Sequence, residues 1–354
     1  MLNQNPRIKK LFVLLSVVLI IFVSFNSCAA SRLQFLDEET KISYAAQYSD
    51  VQVLISKDGN CYIRGGWISK EKPFGLANAR TYEKFIDQTF PFSEKINEFV
   101  LLYDGGNAKK IILSYNGGVI ITDNQELLLF YGTEKYLTPT IFTDGVIDAK
   151  LVDDKIYIVK STGDFGYYSV DNNNDFTPIV SNVQGFDQSE NIFLIHTNEN
   201  ELIISNDTFT EEQLNNVFNG VIAYSINCSD CLKDKHEINI GYVTENGDCF
   251  YKQGYNTELE TFQNAELYAK VATSIQQVSV YAEGVILLDK NNNALIYGND
   301  LINRETFFDK KLISEKVSHI SGDHRTIFII REDGSYVYFG GHINGRFEHI
   351  GDAT

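Results

Sequence analysis

Proline is scarce in this chain, 5 in 354 residues, and Met and Trp occur once each. That scarcity excludes a proline-rich stalk, and no Pro/Ser block divides the chain into modules. No long stretch carries a helical apolar period, which excludes a helix bundle or a coiled coil. Positive charge is in the minority: 30 Lys and Arg face 47 Asp and Glu, for a net charge of −17. A surface that acidic repels phosphate backbones, so nucleic acid is excluded as a partner. No G-x-S-x-G, H-E-x-x-H, Walker loop or G-x-G-x-x-G occurs, so no motif names an enzyme class. Acidic pairs such as Asp153-Asp154 are too common here to single out a glycosidase pair.

What the chain has in quantity is aromatic residues, 20 Tyr and 24 Phe. These suit half-buried pleated surfaces and point to β structure. The one long apolar run is Leu11–Phe25, preceded by Arg7, Lys9 and Lys10 and followed by Asn26-Ser27-Cys28-Ala29-Ala30. Basic residues, a short apolar stretch and a small-residue exit are the pattern of a secretory signal. The run is shorter than the roughly 20 residues that span a bilayer as a helix. Phe25-Asn26-Ser27-Cys28 resembles the bacterial lipobox, which implies that Cys28 is acylated and becomes the first residue. Cleavage after Ala30, giving a secreted protein, and an uncleaved anchor are the other two readings. With Ala29 after the Cys, a Gram-negative host would send such a lipoprotein to the outer membrane.

Beyond the leader, one unit recurs: an apolar alternating run, a tight polar turn, a second apolar run with aromatics, then Gly. The copies start at Val51, Val119, Lys155, Asn191, Ile238, Gly284 and Thr326. Their turns centre on residues 59, 125, 163, 199, 247, 292 and 334, about 46 residues apart on average, a period of propellers and solenoids. A single hairpin unit cannot bury both faces, whereas units stacked round an axis can, and closing the ring removes most free edges. The expected fold is all-β, a seven-bladed β-propeller with an N-terminal signal or lipid-anchor segment. The layout is signal 1–27, tether 28–40 and propeller 41–350. Gly65, Gly132, Gly298 and Gly340 are expected at equivalent blade positions.

Asp58-Gly-Asn-Cys-Tyr-Ile-Arg-Gly65 and Asp333-Gly-Ser-Tyr-Val-Tyr-Phe-Gly340 resemble the repeat of the regulator of chromosome condensation family, D-G-x-V-Y-x-W-G. Asn291–Gly298 keeps the same step, while units two to four depart from it. The resemblance spans about Lys41 to Ile350 and implies a seven-bladed propeller, here as an exported bacterial lipoprotein member. The family includes a nuclear nucleotide-exchange factor, whose activity no residue here supports. It also includes secreted bacterial propellers that bind other proteins.

Four thiols remain besides Cys28. Cys228 and Cys231 are a candidate disulfide, with free thiols as the alternative. Cys61 and Cys249 share a repeat position and are expected in blade cores. His319, His324, His342 and His349 fall on separate strands and turns of one unit, so no metal site is expected. Asp171–Asp175 and Asp289–Asn293 lack the glycine of a calcium loop and read as Asn-rich turns. No cofactor is implied.

The step from the first turn to the second is longer than the others, and the excess lies at about 67–97. It carries Trp67, Phe74 and Tyr82, candidate partner-binding residues, since insertions on propellers gather on one face. The alternative is a short helix packed back on the ring. The expected function is an extracytoplasmic, lipid-anchored, non-catalytic module that binds a protein or glycan and meets the membrane through its anchor. The alternative is an exported glycan-active hydrolase on a propeller scaffold.

Overall fold

The computed structural model describes residues 36–48, 51–65, 99–114, 117–131, 139–170, 172–228, 237–255, 259–282, 284–299, 306–323, 326–340, 342–343 and 346–347. Each of the seven turns closes in the same way. At the first, the Gly59 amide donates to the Ser56 carbonyl and the Ser56 amide to the Asn60 carbonyl, both at 2.9 Å. The same two bonds recur at Thr122–Glu126, Lys160–Asp164, Thr197–Glu201, Thr244–Asp248, Asp289–Asn293 and Arg331–Ser335. This is the three-residue hairpin loop whose last residue is left-handed. That residue is Gly59, Gln125, Gly163, Asn200, Gly247, Asn292 or Gly334, with φ between 60° and 87°. In the fourth unit the left-handed residue is Asn200, one past the turn centre at 199 read from the sequence. The run Asn198-Glu199-Asn200 offers two residues that tolerate the conformation, and only hydrogen bonding chooses between them.

Around these hairpins the strands form seven antiparallel sheets in chain order. Blade 1 is β1–β4 (Ile42–Tyr48, Val51–Ser56, Cys61–Gly65, Val100–Tyr103) and blade 2 is β5–β8 (Ala108–Ser114, Gly117–Thr122, Leu127–Tyr131, Thr140–Thr143). Blade 3 is β9–β12 (Val146–Val152, Lys155–Lys160, Phe165–Ser169, Asn172–Val180) and blade 4 is β13–β16 (Val183–Ser189, Ile192–Thr197, Leu202–Asn206, Val217–Phe218). Blade 5 is β17–β20 (Val221–Cys228, Glu237–Thr244, Cys249–Tyr255, Ala269–Ala272) and blade 6 is β21–β24 (Ile275–Tyr281, Gly284–Asp289, Ala294–Asn299, Thr306–Ser314). Blade 7 has three strands among the described residues, β25–β27 (Val317–Asp323, Thr326–Arg331, Tyr336–Gly340). A two-stranded hairpin follows, β28–β29 (His342–Ile343, Arg346–Phe347).

The first strands of successive blades neighbour one another round the ring, and β1 lies beside β25. The sheets therefore radiate from an axis as a seven-bladed β-propeller, as expected. Second strands are sandwiched between neighbouring blades, and β2 (VQVLIS) and β14 (IFLIHT) are buried at every residue. That is why they read as continuous apolar runs. The first strands are half-exposed and alternate, as β5 does. Separate apolar clusters join blades 2–3, 3–4, 4–5, 5–6, 6–7 and 7–1. At the last seam Ile42, Ala45, Leu54 and Phe99 meet Phe328, Ile330 and Tyr338. Each fully buried aliphatic side chain there contributes about 1.5–3 kcal/mol.

One main-chain joint repeats between blades. The left-handed turn residue of each blade gives its carbonyl to the first amide of the next blade. The bonds are Gly59–Ala108, Gln125–Val146, Gly163–Val183, Asn200–Val221, Gly247–Ile275 and Asn292–Val317, at 2.8–3.0 Å. Gly334 to Ile42, at 2.9 Å, makes the same joint between the last blade and the first. The approach is close: a Cβ on Gly334 would meet Lys41 Cβ at 2.8 Å.

Gly65, Gly298 and Gly340 each pair with the first residue of their second strand, so they are equivalent. In blade 2 that place belongs to Tyr131, opposite Gly117. Gly132 is one residue late and lies outside the described residues. Cys61 and Cys249 are free, fully buried thiols, and burial pushes each thiol up to about 12. They fill the slot that Leu127 and Phe165 fill in other blades.

Candidate functional site

Two ends of the ring follow from this topology. The hairpin turns and the links from one blade to the next lie at one end, the turn face. The connections from first to second strand and from third to fourth strand lie at the other, the loop face. Among the described residues of the loop face, the third-to-fourth connections of blades 4 and 5 include 207–216 and 259–268, and both carry helical turns. Helix α1 (Glu211–Leu214) is held by a capping box, with Thr210 accepting from the Gln213 amide. Helix α2 (Leu259–Phe262) sinks Phe262 into the core between blades 4 and 5. On this face Tyr48 is 36% exposed, Tyr255 42% and Leu267 50%.

The axis is lined by the first strands, whose inner edges have no ladder partner. Buried backbone amides must still be satisfied, and side chains from the preceding blade do so. Asp148 Oδ2 accepts from the Phe186 amide and Asp187 Oδ2 from the Ile226 amide, both at 3.2 Å. Ser225 Oγ accepts from the Val280 amide at 3.0 Å, and Ser279 Oγ from the Gly322 amide at 2.8 Å.

Two lysines complete the lining. Lys110 Nζ is 2.6 Å from Asp148 Oδ1, and Lys150 Nζ is 3.1 Å from Asp187 Oδ1. Burial works against the Lys110 charge, but the charge and hydrogen bond of Asp148, with Tyr44 and Asp187, together outweigh it, so its pKa is raised. Burial also raises Tyr44, and raises Tyr224 well above the usual tyrosine value, with Asp148 and Asp187 adding to both. His319 sits with its ring 5.0 Å from that of Tyr44 and bonds the Ala45 backbone. Burial, with Lys110 nearby, pushes its pKa down to about 4.

Both axial carboxylates have each oxygen engaged. Asp148 Oδ1 also accepts from the Ala149 amide and Asp187 Oδ1 from the Gln188 amide. They tie one blade to the next. Reasoning from sequence missed these four charges. Their signal was a charge at the third or fifth residue of a first strand, inside an alternation that reads as a solvent face.

Of the candidate site residues named from the sequence, the structure describes only Cys228. Cys28, Trp67, Phe74, Tyr82 and Cys231 lie outside the described residues. Cys228 ends β17, buried in the core between blades 4 and 5. His319 is on β25 and His342 on β28, while His324 and His349 lie outside the described residues.

Seven four- and three-stranded sheets about a polar axis make this chain a β-propeller. It is similar to human WBSCR16, with a TM-score of 0.57 and 11% identity over 81% of this chain and 86% of the other. It is also similar to PorZ of Porphyromonas gingivalis, described as an essential bacterial surface component of the type-IX secretion system. That likeness has a TM-score of 0.52 and 10% identity, and covers 90% of this chain and 39% of PorZ. No family model and no curated protein sequence matches.

Proposed function

We propose that this chain is an extracytoplasmic propeller, tethered by acylated Cys28, that docks a protein or glycan on its loop face and performs no catalysis. The observation that carries the reading is the asymmetry of the ring. Tight hydrogen-bonded turns occupy one face, and connections of unequal length, with their exposed Tyr48, Tyr255 and Leu267, occupy the other. Binding residues gather on variable connections held by a rigid scaffold. The basic and apolar leader ending at Cys28 supports export and anchoring, and a lipoprotein's multiple acyl chains suffice for stable attachment. PorZ, similar in fold, is described as a surface component, which suits the same side of a membrane.

The test compares the faces. Capture of envelope components by the full chain is measured for Tyr255→Asp with Leu267→Asp on the loop face, and for Ile147→Asp with Ile222→Asp on the turn face. The loop-face pair should weaken capture of the same component at least tenfold, and the turn-face pair should leave it unchanged. The reverse pattern would assign docking to the turn face. Cys28→Ser should abolish lipid labelling, and labelling that persists would refute the anchor.

A further inference from the structure

At the loop-face end of the seam between blades 7 and 1, apolar packing gives way to polar side chains. Strand alternation carries the row Ile330, Phe328 on to Thr326, and the row from Leu54 on to Gln52. Gln52 Nε2 donates to Gln47 Oε1 at 3.4 Å, and Arg64 Nε donates to Gln52 Oε1 at 2.6 Å. All of this is enclosed: Arg64 is 6% exposed, Gln52 2% and Thr326 0%.

The Arg64 guanidinium carbon lies over two rings, Phe99 at 4.3 Å and Tyr338 at 4.4 Å. The rings attract the cation and cover it, leaving its in-plane N–H edge for hydrogen bonding. On that edge Nη2 has no partner among the described residues, and neither does Thr326 Oγ1. Tyr338 is stacked on Phe328 at 5.5 Å, and Thr326 is one alternation, roughly 7 Å, further towards the loop face. Ion pairs among the described residues include Lys110–Asp148, Lys150–Asp187 and Lys270–Asp248. Acidic residues abound in this chain, yet Arg64 is paired with none of the described ones.

Buried charges are ordinarily paired, and buried donors are bonded in the great majority of cases. A guanidinium edge matches the two oxygens of a carboxylate better than any other common group. We propose that Arg64 and Thr326 form a carboxylate-recognition subsite at the loop-face end of the 7–1 seam. The ligand's oxygens accept from Arg64 Nη2 and from the Thr326 hydroxyl. Arg64 is one residue before β3 ends at Gly65, so a carboxylate presented to the loop face approaches it from that end. The source of the carboxylate rests on the docking reading above, whereas the subsite itself rests on the seam.

The test follows thermal unfolding of the full chain in acetate against chloride at matched ionic strength. A ligand that binds the native state raises the midpoint as its concentration passes its dissociation constant. Wild type should show a saturable rise in acetate. Arg64→Lys keeps the charge and loses the fork, and Thr326→Val keeps the shape and loses the hydroxyl. Each should need at least tenfold more acetate for the same rise. Should Arg64→Lys fail to fold, Thr326→Val decides alone. A glutamate-containing pentapeptide that acts well below the acetate concentration identifies an acidic protein segment as the source, and glucuronate acting so identifies an acidic sugar. Equal midpoints in acetate and chloride for wild type, or an undiminished response in Thr326→Val, overturn the subsite. Loss of loop-face capture leaves this acetate response untouched, so the two readings fail separately.

Discussion

On the turn face every blade closes with the same three-residue hairpin and hands one carbonyl to its neighbour. On the loop face the connections from third to fourth strand differ in length among the first six blades. The difference teaches where sequence is constrained. A turn-face position must allow a left-handed residue at one place and an approaching backbone beside it. A loop-face connection has only to span two strand ends, a requirement whose entropic cost rises slowly with length.

Breaking the turn face should have the largest effect. Gly334→Val puts a β-branched residue at φ +84° and a Cβ within 2.8 Å of Lys41. Denaturant unfolding should show a loss of about 3 kcal/mol or more, from strain at the joint. Next comes the axis. Asp148→Ala removes the partner of Lys110 and the acceptor of the Phe186 amide together. Because Lys110 keeps some contact with solvent, the expected loss is about 2–3 kcal/mol, below that of a fully enclosed pair.

The third effect depends on pH. His319 titrates near 4 in the folded chain and near 6.5 when unfolded. As pH falls from 6.5 to 4 the unfolded state takes up a proton that the folded state refuses. Stability therefore declines through that window and levels off below it. Its share is about 1–3 kcal/mol, and His319→Gln should flatten that part of the pH–stability curve. A wild-type-like slope in the variant would remove His319 from the account.

The loop face should respond less than either the joint or the axis. Thr210→Ala, which removes the cap of α1, is expected to cost about 1 kcal/mol. Finally, Gln125→Gly on the turn face should stabilise by about 0.5–1 kcal/mol, because Gln125 now holds φ 63° against its own Cβ. Stabilisation by Gln125→Gly, set against the loss in Gly334→Val, separates the conformational demand of the turn from the spatial demand of the joint.

Much of this was legible in the sequence. Asp58-Gly59 and Glu332-Asp333-Gly334 announce their turns, because few residues accept positive φ. The blade cores were legible too, down to Cys61 and Cys249 in slots that take Leu or Phe elsewhere. Gly132 misled because glycine was read as a marker of position, whereas register is set by pairing and gives the place to Tyr131. The axis was hidden for a different reason. Lys110, Asp148, Lys150 and Asp187 sit at alternate strand positions, where a polar residue means solvent unless the strand's inner edge is known to face its neighbours. Arg64 was hidden similarly: it stands where the repeat motif has Trp and drew no reading of its own, and only the seam shows it enclosed.

The joint between blades is made from main-chain atoms. A carbonyl and an amide meet whatever the side chains are, provided that one residue can turn left-handed and its neighbour leaves room. Such a contact is inherited with the backbone path and not with the lettering. Mutation can rewrite nearly every side chain of a blade, one compatible swap at a time, while the next blade is still gripped at the same two atoms. A lineage of rings built this way can lose its written resemblance long before it loses its shape.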